Sequence, residues 1–309
     1  MAGRPARGGV KIFFIGRPAW FILCGMVTLT DEEIRRHVQL ALAEDIGAGD
    51  ATTLATVPES LKASAVMVAR ESLVVAGLAL AEAAFSELSR ELLISRLAAD
   101  GRHVQAREGL LRIQGPARAI LTAERTALNF VQRLSGVATL TAQFVEAVKG
   151  TRARILDTRK TTPGWRQLEK YAVQCGRGQN HRLGLYDLIL IKDNHLAALC
   201  GGQPNAIAAA VARSRAQYPK LKVEVEADTL EQAQQALEAG ADIILLDNMA
   251  RNELRAAVQV IGGRARTEAS GGVDLAGVRG IAETGVDFIS VGAITHSART
   301  MDIALDFES

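Results

Sequence analysis

An α/β chain, a small sheet domain followed by a parallel sheet closed or wound as a barrel, is predicted by three features of the sequence. From Arg152 onward, short apolar strands alternate with amphipathic helical segments, the pattern of serial βα units. Ahead of them, brief β-branched runs separated by Gly, Pro and Asp read as a sheet of their own. The later strands also end in polar or glycine residues, at the end where barrels of this type carry their chemistry.

In chain order, Thr30 with Glu33 three residues on forms a capping box that opens a helix, with Ile34, Val38 and Leu40–Leu42 on its apolar side. The helix runs into Glu44–Thr53, an acidic, turn-rich loop. Candidate strands follow at 64–70, 72–77, 94–97 and 110–115, with a helix around 78–87; together they make a sheet domain over roughly 28–120. A long helix is expected from Thr122, with apolar residues from Ala127 to Val148 at three- and four-residue steps. Arg125, Asn129 and Arg133 share one of its faces. Strands are then expected at 154–158, 188–192, 222–227, 242–247, 266–270 and 287–291. Helices are expected at about 164–174, 205–217, 229–239, 251–261 and 274–283, with a helical tail from 298. Six strands are fewer than the eight of a closed barrel, so either a strand is hidden near 135–150 or the barrel is incomplete.

Composition narrows the function classes. A formal charge of +2 and 4% aromatic residues argue against a nucleic-acid-binding protein, whose basic stripe would dominate. No run of eighteen apolar residues exists, so no membrane span is read. Cys24, Cys175 and Cys200 have neither disulfide nor zinc spacing, which fits a reducing cytoplasm. Cys175 reads as a small buried thiol, since no base is dedicated to it. Residues 1–27 contain two apolar runs split by Gly16-Arg17-Pro18-Ala19, which spoils a signal-peptide core; they read as a disordered or misannotated leader, with the true start near Met26.

The strand ends define the expected site. Arg159 and Lys160 follow one strand and Lys192-Asp193-Asn194-His195 another, with His181-Arg182 between them. Such cations supply forked and point-charge donors for carboxylates or phosphates. Glu224 and Glu226 on one strand and Asp247-Asn248 on the next supply acceptors; Glu226 and Asp247 suit sugar hydroxyls or a Mg²⁺ ion that clamps a pyrophosphate. Ser270-Gly271-Gly272 and Val291-Gly292-Ala293 offer backbone N–H groups where late barrel strands hold phosphate. The set describes a pocket for two anions, one a sugar phosphate and one rich in carboxylate, and so glycosyl transfer.

These residues resemble the quinolinate phosphoribosyltransferase family. The matching motifs run in family order over residues 29–307: Glu44–Gly47 with Gly49–Thr53, Glu124–Asn129, Asp157–Gly164, Asn180–Arg182, Ile191–His195, Val225-Glu226, Leu246–Asn248, Glu268–Gly272 and Ser290–Ser297. The resemblance implies an N-terminal α/β sandwich over 28–135, an incomplete barrel over 136–296, and a tail, 297–309, that packs on the first domain. It implies a pentosyltransferase that joins quinolinate to 5-phosphoribosyl 1-pyrophosphate and releases pyrophosphate and CO₂, with Mg²⁺ and no organic cofactor. It further implies a homodimer in which Arg125 reaches across to the partner's quinolinate. Arg159, His181, Arg182 and Lys192 would bind the carboxylates, with Thr158 beside them and Lys160 between the two substrates. Glu226 and Asp247 would hold the ribose and the Mg²⁺ region. Ser270, Gly271, Gly272, Val291, Gly292, Ala293 and His296 would face the phosphates. Lys160, Lys192, Glu226 and Asp247 are the expected catalytic set.

One departure stands out. Gly176-Arg177-Gly178 occupies the place of three consecutive glycines in the family. Two alternatives stay open: a paralogous transferase acting on another anionic acceptor, and a Schiff-base aldolase using Lys192.

Overall fold

Thr30 opens the first helix as the capping box requires: its side chain accepts the Glu33 N–H at 3.2 Å, and the Glu33 carboxylate takes the Thr30 N–H at 2.9 Å. The computed structural model describes residues 27–199, 203 and 205–308. Residues 1–26 of the expected leader, with Cys24, and Cys200 lie outside these residues.

The first domain comprises helices α1 (Asp31–Ile46), α2 (Ala51–Thr56) and α3 (Leu78–Leu88), and strands β1 (Lys62–Ala69), β2 (Leu73–Val74), β3 (Leu93–Arg96), β4 (His103–Val104) and β5 (Gly109–Pro116). The end of the acidic loop differs from expectation. Asp50 accepts the Thr53 N–H at 3.0 Å and so caps α2, a local side-chain bond that turns a loop into a helical turn. Burial alternates along β1, whose inward residues Ala65, Met67 and Ala69 are fully covered.

Helix α4 (Ala117–Ala147) is 31 residues long and starts directly after Pro116, five residues earlier than the apolar periodicity suggests. It occupies the region of the suspected hidden strand, so the second of the two barrel readings holds. Gly136 sits mid-helix for a steric reason: a Cβ there would stand 1.9 Å from the Arg299 carbonyl oxygen, where the C-terminal segment crosses.

The second domain follows as β6 (Arg154–Leu156), α5 (Arg166–Cys175), β7 (Ile189–Ile191), α6 (Asp193–Ala197), α7 (Ala206–Gln217), β8 (Val223–Ala227), α8 (Leu230–Glu238), β9 (Ile243–Asp247), α9 (Arg251–Ile261), β10 (Arg266–Ser270), α10 (Val278–Ala282), β11 (Phe288–Ser290) and α11 (Ala293–His296). Six parallel strands run in the order β6-β11-β10-β9-β8-β7. Beside β6 the chain adds an isolated parallel bridge, Leu156 with Gln179.

The tail is a strand, not a helix. β12 (Ile303–Glu308) pairs antiparallel with β1 and completes a sheet ordered β12-β1-β5-β3 in the first domain. Its alternating Ile303, Leu305 and Phe307 carry the period of two that the sequence reading passed over.

Candidate active site

The C-terminal ends of the parallel strands surround a cavity of about 810 Å³. Thr158, Arg159 and Lys160 enter it after β6, His181 and Arg182 from the α5–β7 loop, and Lys192 after β7. Glu226, Asp247 and Ser270 come from the ends of β8, β9 and β10, and Gly271, Gly272, Gly292, Ala293 and His296 from the last turns. Segments far apart in sequence thus converge because each sits at the same end of its strand.

The cations are held differently. Arg182 is buried, and its guanidinium donates to the Leu188 carbonyl at 3.1 Å. Burial, then the like charge of Arg159, pulls its pKa down. The Arg159 Nε is buried without a hydrogen-bond partner, a donor suited to an incoming anion. Lys192 pairs with Glu226 across the neighbouring strands β7 and β8. Lys160 is exposed; its N–H donates to the Thr158 hydroxyl at 3.0 Å, and its carbonyl accepts from the Thr295 hydroxyl at 2.8 Å. Its side-chain stem lies beside Gly292, where a Cβ would come within 3.1 Å of it and 3.2 Å of the His296 ring. That glycine keeps the backbone accessible between two cations.

Gly271 has φ +96, and a Cβ there would meet the Asn248 side-chain oxygen at 2.1 Å, so the turn after β10 excludes any other residue. Asn248 itself is left-handed, with φ 53; its amide donates to Asp247 at 2.6 Å and fixes that carboxylate. Glu226 and Asp247 end adjacent strands. Two carboxylates without a further protein cage suit a Mg²⁺ ion that draws its other ligands from phosphates and water.

Beneath the cavity lies a cluster that the sequence reading missed. Glu224 faces the barrel interior, not the strand end beside Glu226, and is fully buried. His181 Nε2 stands 3.0 Å from Glu224 and 3.6 Å from Glu268. Both carboxylates are fully buried. Burial and the charge of Glu224 push the Glu268 carboxyl up to about 8. Burial alone would lower the pKa of His181, and the two carboxylates outweigh it and draw the ring up to about 9. The Arg182 N–H lies 2.7 Å from Nδ1, and His181, Glu224 and Glu268 titrate as one coupled set. The period-two spacing of Glu224 and Glu226 already placed both side chains on one face and was the available signal.

Asp157 and Lys170 are also fully buried. Lys170 pairs with Asp157 and donates to the His181 carbonyl at 3.0 Å. Asp157 accepts the His181 N–H at 2.8 Å and the Asn180 amide at 2.6 Å. Burial raises the pKa of Asp157, while the Lys170 charge and these donors oppose the rise.

Arg125, expected to serve a partner's site, is exposed on α4 and does not line this chain's own cavity. One expectation needs correction. Val291 is buried, and its N–H donates to the Leu156 carbonyl at 2.9 Å, so the ladder takes the group expected to face phosphate. The polar face of α4 is divided: Asn129 and Arg125 are exposed, but Arg133 donates to Glu169 at 2.7 Å and to the Ala298 carbonyl at 2.6 Å, tying α4 to α5 and the tail.

The altered glycine loop is accounted for by packing. A Cβ at Gly176 would stand 2.3 Å from the Ala138 carbonyl oxygen, and one at Gly178 would stand 2.6 Å from the Thr141 side chain. Arg177 between them is exposed, with φ 65. The outer glycines are required by the close approach of α4, whereas the middle residue points to solvent.

Fold and site together define an α/β-barrel protein whose cavity gathers cations on one side and acids and glycine turns on the other, the arrangement of a transferase acting on phosphorylated sugars. Residues 137–306 match the family described as quinolinate phosphoribosyl transferase, C-terminal domain, and residues 50–135 match its N-terminal domain. The chain belongs to the quinolinate phosphoribosyl transferase family. It is 46% identical over 279 residues to the nicotinate-nucleotide pyrophosphorylase (carboxylating) of Mycobacterium leprae, covering 88% of this chain and 96% of that one. It is 41% identical over 274 residues to the probable enzyme of that name in Bacillus subtilis, covering 89% and 93%. The solved nicotinate-nucleotide pyrophosphorylase of Francisella tularensis superposes with a TM-score of 0.86 at 39% identity, covering 92% of this chain and 99% of that one.

Proposed function

We propose that the protein transfers the phosphoribosyl group of 5-phosphoribosyl 1-pyrophosphate to the ring nitrogen of quinolinate, with loss of pyrophosphate and CO₂, to give nicotinate mononucleotide. The observation that carries this reading is the convergence of Arg159, Arg182 and Lys192 with Glu226, Asp247 and the Ser270 and Gly292 turns in one cavity. Three cations in one wall are more than a monoacid needs, which favours a diacid acceptor over a paralogue's substrate. A Schiff-base role for Lys192 would leave Arg159 and Arg182 without a task and would break the Lys192–Glu226 pair.

The mechanism follows from positioning. Arg159, Arg182 and Lys192 fix the two carboxylates and so aim the pyridine nitrogen at C1 of the ribose. Glu226 and Asp247 hold the ribose hydroxyls, and their negative charge favours the oxocarbenium character that develops as pyrophosphate departs. Lys160, beside Gly292 and His296, meets the charge growing on the leaving group. Mg²⁺, when bound near Glu226 and Asp247, supplies charge neutralisation to the pyrophosphate. The positive N-ribosyl pyridinium then stabilises the electron pair left on the ring carbon when the adjacent carboxylate departs as CO₂, and that carbon takes up a proton from solvent to give the product.

Arg125, exposed and outside its own cavity, is read as serving the cavity of a partner protomer in a homodimer. No described helix is long and apolar enough to cross a membrane; the cytoplasm is the compartment we assign, in keeping with the free thiol of Cys175. Incubation with quinolinate, the sugar pyrophosphate and Mg²⁺, following pyrophosphate and CO₂ together, tests the reading. Stoichiometric release of both supports it; pyrophosphate without CO₂, or neither product, overturns it.

A further inference from the structure

We propose that Asp157 and Lys170 are positioning residues for acceptor recognition: their buried ion pair clamps the backbone on both sides of His181 and so sets the spacing between Arg159 and Arg182. This rests on the reading of the acceptor as a dicarboxylate held by those two arginines.

The clamp is read from its bonds. Neither Asp157 nor Lys170 lines the cavity, and both are 0% exposed. Asp157 takes the N–H of His181 while Lys170 takes its carbonyl oxygen, so one ion pair grips both backbone groups of a single residue. Asn180 is tied in as well, donating to Asp157 and to the Lys170 carbonyl at 2.9 Å. Two backbone bonds, Gln179 N–H to the Ile155 carbonyl at 2.9 Å and Asp157 N–H to the Gln179 carbonyl at 3.1 Å, lay the incoming segment alongside β6.

Geometry then links the two arginines. Asp157 is two residues before Arg159 on the β6 arm. Its carboxylate holds the other arm one residue before Arg182. Both arms are therefore registered on one side chain. They need registration, because the like charges of Arg159 and Arg182 repel in the absence of an anion. A buried ion pair contributes little net stability compared with apolar residues of similar volume. What an apolar pair cannot do is accept an N–H and donate to a carbonyl of the same residue at once.

The test uses the full-length enzyme. Steady-state constants for quinolinate and for the sugar pyrophosphate are measured in the wild type, in Lys170→Met and in the double variant Asp157→Asn/Lys170→Met, with melting curves for each. The double variant removes both charges, so that no unpaired ion is left in the core. The expected result is a folded double variant whose quinolinate KM rises at least tenfold while the KM for the sugar pyrophosphate stays within twofold. A double variant that unfolds, that leaves both KM values unchanged, or that raises both equally assigns the pair to stability alone and overturns the proposal. A wild type that turns over no quinolinate overturns the acceptor reading itself, and the positioning role with it. These outcomes are told apart by the wild-type measurement.

Discussion

Lys192 and Glu226 neutralise one another across strands β7 and β8, with the glutamate buried and the lysine half-exposed at the cavity wall. In the proposed reaction each serves a different substrate, the lysine the acceptor and the glutamate the ribose. Glu226→Gln therefore separates the two roles. It frees Lys192 for the acceptor, so the quinolinate KM is expected to stay level or fall, while kcat drops about 10²-fold with the loss of charge near the ribose. Initial-rate measurements with each substrate varied check both parts.

Arg182→Ala removes a buried cation from the cavity wall proposed to meet the acceptor. The loss is on the order of 2–4 kcal/mol of binding if the carboxylate it meets is desolvated. The quinolinate KM is expected to rise by that amount, with the KM for the sugar pyrophosphate and the circular dichroism spectrum unchanged. Unaltered kinetics would remove Arg182 from the site.

A third prediction concerns pH. A glutamate in the unfolded chain releases its proton near 4.5, whereas Glu268 in the folded protein keeps it to about 8. Between these values the native state binds more protons than the unfolded state, so stability falls as pH rises. The slope is at most about 1.4 kcal/mol per pH unit. Glu268→Gln carries no titrating proton, and its melting temperature is expected to lie flatter across this window than that of the wild type. Parallel melting curves at several pH values decide it.

The glycine loop yields a pair of opposed outcomes. Gly176→Ala drives a methyl group into the Ala138 carbonyl and is expected to destabilise by about 1–3 kcal/mol, the usual range for overpacking. Arg177→Gly relieves a left-handed backbone but adds unfolded-state freedom, and the two offset to within about 1 kcal/mol. Urea midpoints at constant m-value measure both.

The dimer reading is tested by complementation. Arg125→Ala and Lys192→Ala protomers, each inactive alone, are expected to regain part of the wild-type rate when mixed and allowed to exchange, because one of the two sites then combines intact residues from both chains. No recovery after verified exchange would return Arg125 to its own protomer.

The parallel strands were legible because their apolar runs are short and end in chemistry: Lys192, Asp247 and Ser270 close β-runs that the structure places where expected. The Thr30 capping box was legible because it is wholly local. What escaped depended on distant partners. Glu224 looks like a strand-end acid until His181 and Glu268 are brought beside it. Lys170 sits among helical residues with nothing in sequence to mark it as buried; only the fold supplies Asp157. Val291 shows the reverse error, a motif residue whose N–H the sheet had already claimed. The strand Ile303–Glu308 was missed because β1, its partner among the described strands, lies more than two hundred positions earlier.

That last pairing bears on biosynthesis. Among the described residues the outer edge of β1 is covered by the six-residue strand Ile303–Glu308, so a nascent chain carries an unsatisfied β-edge until that strand has been made. Truncation just ahead of Ile303 would leave every residue that lines the cavity in place and still release a polypeptide prone to intermolecular strand exchange.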